Sequence, residues 1–117
     1  MSQADITSYA GERLLRLGQA DRAAVLIEEG IALFDESFIR DRQICSINLA
    51  NALAQPGKQR DLDASASRGM EAIRLAECLD SNRSANLLRD LSYQLSPHAK
   101  VPAVRDFLRQ AQEFAQV

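Results

Sequence analysis

Apolar residues recur along this chain at intervals of three and four, the repeat of one face of a helix. They nowhere alternate over the run of positions that a half-buried strand needs. The spacing predicts six helices and no strand. A first helix from about Asp5 to Leu17 carries Ile6, Ala10, Leu14 and Leu17 on one stripe, and Gly18 stops it. A second, from about Ala20 to Phe34, aligns Ala23, Ile27, Ile31 and Phe34. Val25, Leu26 and Leu33 widen its apolar surface, so neighbours are expected on both of its sides. A third, from about Glu36 to Ala54, carries Phe38, Ile44, Ile47, Leu49 and Leu53 and ends at Pro56-Gly57. A fourth, from about Arg60 to Leu79, carries Leu62, Ala66, Met70, Ile73 and Leu75. Asp80 or Ser81 is placed to cap a fifth, which continues to Leu95 through Ala85, Leu88 and Leu91. After a loop over Ser96 to Pro102, Pro102 suits the first position of a last helix, where a missing N–H loses no helical bond. That helix has a dry side (Val104, Leu108, Ala111 and Ala115, with Phe107 and Phe114 beside them) and a wet side running from Arg105 and Asp106 to Gln116.

Six helices with short connections suggest three antiparallel pairs, over about residues 5–35, 36–79 and 80–116 of a single domain. A long-range repeat favours stacked pairs over a closed bundle. Gly18 and Gly57 are 39 residues apart, and so are Gly30 and Gly69; the same shift carries Leu14 onto Leu53, Ile31 onto Met70 and Phe34 onto Ile73. Gly30 and Gly69 fall inside helices, where glycine is worse than alanine by about 1 kcal/mol. Close approach of a neighbouring helix is the simplest reason for a glycine there. Helix–turn–helix units at such a period are the signature of an α-solenoid.

The residues at these spacings resemble tetratricopeptide repeats. In the first unit they are Gly11, Leu14, Gly18, Ala23, Gly30 and Ile31; in the second, Ala50, Leu53, Gly57, Leu62, Gly69 and Met70. Leu62 is larger than the usual alanine, and the period exceeds the family's roughly 34 residues. The stretch Ile39 to Phe107 resembles more narrowly the C-terminal repeat region of actinobacterial helix-turn-helix regulators. The matching residues are Ala76, Leu79, Ser81, Arg83, Leu88, Leu91, Leu95, Pro97, His98, Pro102, Val104 and Phe107. The resemblance implies an all-α, tetratricopeptide-like solenoid that binds a protein or peptide in a regulatory, transcription-related context. Those regulators carry a DNA-binding domain ahead of the repeats, whereas this chain starts at Met1 within the repeats. No direct nucleic-acid binding is therefore expected of it.

Charge agrees with that last expectation. The chain has 117 residues, a formal net charge of −2 and only 5% aromatic residues, a poor match for a polyanion or a base-stacking surface. No enzymatic activity, cofactor or metal is expected. His98 with Cys45 or Cys78 would make a thiol–imidazole pair, but no third residue is identifiable to orient it. Cys45 and Cys78 read as small hydrophobes kept reduced. No Glu-x-x-His pair supports a di-iron site, and the segment LGQADRA lacks the Lys-Ser/Thr of a phosphate loop. Nothing resembles a signal peptide or a membrane span, so a cytoplasmic location is expected.

In the tetratricopeptide family the first helix of each pair lines a concave groove. By resemblance and register Ser8, Glu12, Arg16, Asn51 and Gln55 face such a groove, with Asn86, Arg89 and Tyr93 continuing it. The alternatives are a sensor with a closed pocket for a small ligand or signal peptide, and an accessory subunit of an enzyme complex. The first helix has no clean polar side. Tyr9 and Leu15 mark a candidate patch for a partner or for a homodimer formed through the N-terminal helix pair.

Overall fold

The computed structural model describes residues 2–79 and 82–115. Its regular elements are α1 (Gln3–Arg16), α2 (Ala20–Leu33), α3 (Ile39–Ala54), α4 (Leu62–Ala76), α5 (Asn82–Leu95) and α6 (Pro102–Ala115), with a short 3₁₀ turn over Ser96–His98. No strand occurs among the described residues. None of the helices is long and apolar enough to cross a membrane.

Local chemistry sets the ends. Ser2 caps α1 and exchanges bonds with Asp5 in a reciprocal capping box. Gly18 takes φ +78°, and the N–H groups of Gly18 and Gln19 donate to the carbonyls of Leu15 and Leu14, a glycine-terminated helix end of the Schellman type. α3 starts three residues later than the spacing predicts. Asp35 Oδ1 accepts from the Ser37 N–H at 2.9 Å, holding residues 35–37 in a turn. α4 starts after Asp61, whose carboxylate accepts from the Ala64 N–H at 3.0 Å. Pro102 opens α6 as expected. The expected cap at Asp80 or Ser81 and the polar Gln116 lie outside the described residues.

The six helices pack into a compact globule of 36 × 33 × 19 Å, about two helix diameters in its thin direction. α1 lies most extensively on α2 and α3 on α4. α3 also touches α1, α2 and α5, and α6 rests more on α4 than on α5. Neither α1 nor α2 makes more than glancing contact with α5 or α6 among the described residues. The first pair is antiparallel and close. A Cβ at Gly11 would lie 2.5 Å from Ile27 Cγ1 and 3.1 Å from the Ile27 backbone nitrogen. A Cβ at Gly30 would lie 2.5 Å from Ser8 Oγ. Gly69 stands in register with Gly30 but serves a different contact: the ring of Phe107 in α6 occupies its open side.

Two hydrophobic cores share α3. Cys45, Leu49 and Ala52 join the core between α1 and α2, whereas Ile47, Ala50 and Ala54 join the one with α4, α5 and α6. α2 is flanked by α1 and α3, as its apolar surface suggests, and α3 goes further by contributing to both cores. The small residues of α3 let other helices approach closely, while Val25 and Leu33 of α2 stay about half exposed. Val104, Phe107 and Ala111 of the expected dry side of α6 are buried, whereas Ala115 is exposed.

Side chains link one pair to the next at a nearly constant sequence separation. Asp21, in the first turn of α2, accepts from the backbone N–H of Lys58 at 3.0 Å and of Gln59 at 2.8 Å. Gly57 leaves room for that carboxylate. Arg60 Nη2 lies 3.2 Å from both ring nitrogens of His98, the same 38-residue step as Asp21 to Gln59. The backbone donors of Gln59 and Lys58 hold the Asp21 carboxyl below its ordinary value. A carboxyl whose pKa is depressed on folding stabilises the fold above its unfolded value of about 4, and that contribution fades as pH falls through the folded value. We expect Asp21→Asn to lower the thermal midpoint at pH 7 and to flatten its decline below about pH 4. Melting curves across pH that fall in parallel for parent and variant would contradict this.

Candidate functional site

Where α1, α3 and α5 meet the surface they form two adjoining depressions. The larger, of about 210 Å³, is lined by Asp5, Ser8, Tyr9 and Glu12 of α1, by Arg40, Asp41, Ile44, Cys45 and Asn48 of α3, by Arg83 of α5, and at its floor by Ile27 and Phe34. The smaller, of about 100 Å³, shares Arg40, Ile44 and Arg83 with it and extends to Gln43, Ser84 and Leu87. Together they make one cleft across three successive odd-numbered helices.

Two side-chain contacts, one buried and one partly buried, fix its shape. Cys45 Sγ donates to Ser8 Oγ at 3.4 Å, joining α3 to α1. Gln43, only 1% exposed, donates from Nε2 to the Ala72 carbonyl of α4 at 3.3 Å, and its Oε1 accepts from Ser84 Oγ of α5 at 2.9 Å. The Gln43 amide thereby ties three helices together. Cys45 and Ser84 are 39 residues apart, each on an odd-numbered helix and each bonded to the preceding one.

The lips differ in charge. Asp5 and Glu12 stand on the α1 side. The Ser2 backbone N–H and hydroxyl hold the Asp5 carboxyl below its ordinary value, so it stays ionised at neutral pH. Glu12 pairs with Arg16 at 2.8 Å. Arg40 and Arg83 stand on the α3–α5 side, beside Asp41; neither has an ion-pair partner among the described residues. Two guanidiniums on one lip favour a carboxylate there.

Of the groove residues expected from sequence, the cleft gathers Ser8 and Glu12. Arg16 lies outside it, held by Glu12. Asn51 and Gln55 continue α3 beyond the cleft; Asn51 Oδ1 is buried and has no hydrogen-bond partner among the described residues. Asn86 and Arg89 are exposed and bonded to one another, and Tyr93 is 79% exposed. Tyr9 is exposed at the cleft margin, whereas Leu15 sits half-buried against the first core. The sequence reading missed Arg40, Asp41, Ile44, Asn48 and Arg83. The contacts that bring α1 and α5 to α3 fall at Gln43 and Cys45, about two turns before Asn51.

The thiol in the cleft is not activated. Burial pushes the Cys45 thiol up, with the carboxylates of Asp41, Glu12 and Asp5 adding to the effect, which disfavours the nucleophilic thiolate. His98 faces Arg60. Both cysteines are free, Cys45 buried and Cys78 exposed. Among the described residues no group of three or more His, Cys, Asp or Glu is placed to hold a metal ion. Compared with known proteins, the chain matches no family model, no curated protein and no solved structure.

Proposed function

We propose that the chain is a tetratricopeptide-like stack of three helix pairs that binds an extended segment of a protein partner noncovalently in the α1–α3–α5 cleft. The observation that carries this reading is the cleft itself: successive odd-numbered helices build it jointly, with polar lips over an apolar floor. The stack is supported by contacts that run from each pair to the next, and by side-chain links that recur at separations of 37 to 41 residues. The regulatory, transcription-related setting rests on the resemblance of Ile39 to Phe107 alone. A cleft that runs across three helices suits an extended segment better than a small ligand enclosed on all sides. The charged lips specify the peptide: an acidic side chain toward Arg40 and Arg83, a basic one toward Asp5 and Glu12.

A random peptide display library panned against the parent and against an Arg40→Glu/Arg83→Glu variant tests this. The parent should enrich peptides carrying an acidic residue, and the variant should lose them. A parent that retains no peptide, or peptides held equally by both proteins, would overturn the reading.

A further inference from the structure

The outer side of the first helix pair is uncovered and carries an apolar strip bordered by Glu12, Arg13, Arg16 and Arg22. Ile6 is 51% exposed, Leu17 66% and Leu33 52%. Ile6, Leu14, Leu17 and Leu26 border an open depression of about 840 Å³ between α1 and α2. This face lies on the opposite side of α1 and α2 from their shared core. Its residues follow a regular helical stripe: Ile6, Ala10, Arg13 and Leu17 on α1; Arg22, Leu26, Glu29 and Leu33 on α2.

The pattern is complementary to itself. Gly11 of α1 lies against the Ala23 carbonyl and the Ile27 nitrogen of α2, and Gly30 lies against Ser8. Residues 11–12 of α1 are therefore level with residues 25–26 of α2. Ile6 and Leu17 stand equally far on either side of that level on α1, and Arg22 and Glu29 do so on α2. A single two-fold axis in the plane of the face, perpendicular to the helices, passes through both midpoints. It lays Ile6 on Leu17 of a second copy and brings Val25 and Leu26 together at the centre. It also sets Arg22 opposite Glu29 of the second copy, twice by symmetry. Arg13 falls over the small Ala10 side chain, which leaves room for its stem while the guanidinium reaches water. Arg22 is bonded only to Gln19, at 2.7 Å. Neither Arg22 nor Glu29 has an ion-pair partner within the chain among the described residues.

We propose that two copies of this chain associate through the outer face of α1 and α2, each helix antiparallel to its counterpart. The occupant is a second copy because Ile6 meets Leu17 and Val25 meets Leu26 across the axis, and the two α2 charges meet their opposites. The depression borders the peptide cleft at Tyr9 and Glu12, but Ile6, Leu17, Arg22, Leu26 and Glu29, which carry the contact, lie outside the cleft, and the proposal stands whether or not the cleft binds.

Sedimentation equilibrium of the purified chain from micromolar to millimolar concentration tests it. The parent should show a concentration-dependent dimer, and Leu26→Glu should be monomeric throughout, with unchanged helicity by circular dichroism. Arg22→Glu or Glu29→Arg alone should weaken the dimer by about tenfold or more, since each places like charges opposite one another twice. The double variant Arg22→Glu/Glu29→Arg should restore it to within a few-fold of the parent, which a loss of folding in either single variant would not do. A parent that stays monomeric, a dimer that survives Leu26→Glu, or a double variant no better than the singles would each overturn the arrangement.

Discussion

Truncating Phe107 to alanine lowers the unfolding free energy by about 3–5 kcal/mol, a large share of the roughly 5–15 kcal/mol that holds a domain of this size together. Phe107 is fully buried. Its ring lies where a Cβ at Gly69 would stand, 2.6 Å from Cε1 and 2.7 Å from Cδ1, so glycine and ring fit as socket and plug. α6 depends on that fit, because it rests more on α4 than on α5, its neighbour in sequence. Urea unfolding followed by circular dichroism should show the loss, with Phe107→Leu losing less. The pair should also be coupled. Gly69→Ala should destabilise the parent by about 1–3 kcal/mol through overpacking, against which alanine's better helix propensity offsets only about 1. In the Phe107→Leu background the ring is gone, and Gly69→Ala should be neutral or stabilising by up to about 1 kcal/mol. Additive losses in the two backgrounds would show that the ring and the glycine do not meet.

The same residues show where the sequence was legible. Helix number and order follow from apolar spacing, and the turns follow from Gly18, Pro56-Gly57 and Pro102, because these effects act over a few residues. The repeated glycines correctly mark close approaches, but their partners are tertiary facts: Gly30 meets α1 of its own pair, Gly69 meets α6 of the next. Apolar content places α2 between two neighbours, α1 and α3, but does not show that Val25 and Leu33 stay half exposed, or that α3 serves both cores through Ala50, Ala52, Ala54 and Ser46, which look unremarkable in sequence. Little of the cleft was visible: two of its residues, Ser8 and Glu12, and Tyr9 at its margin. Ser8 and Glu12 lie in it because α1 carries its register from the repeat, whereas Asn51 and Gln55 fall beyond the point where α1 and α5 cross α3. A small polar residue at Cys45 and again 39 residues later at Ser84 marks that crossing. Its meaning depends on Gln43, whose burial no helical pattern indicates.

Gln43 accordingly sets the second large effect. Its replacement by alanine should destabilise the fold by about 2–4 kcal/mol, because the Ser84 hydroxyl stays buried without its acceptor while a cavity opens among α3, α4 and α5. The two causes separate experimentally. Gln43→Leu refills most of the volume but still strands the hydroxyl. Gln43→Leu/Ser84→Ala removes donor and acceptor together and should recover about 1–2 kcal/mol relative to Gln43→Leu alone. The loss should also be uneven along the chain. Gln43 joins α5 to the rest of the fold beside Arg83, so amide exchange in Gln43→Ala should quicken in α5 more than in α1 and α2, which share the other core. Peptides selected through Arg83 should bind Gln43→Ala more weakly even where it is fully folded, since the arginine would no longer be held at the lip. If exchange rises equally in α1, α2 and α5, or if Gln43→Leu/Ser84→Ala is no more stable than Gln43→Leu, the amide is not the joint between α3 and α5.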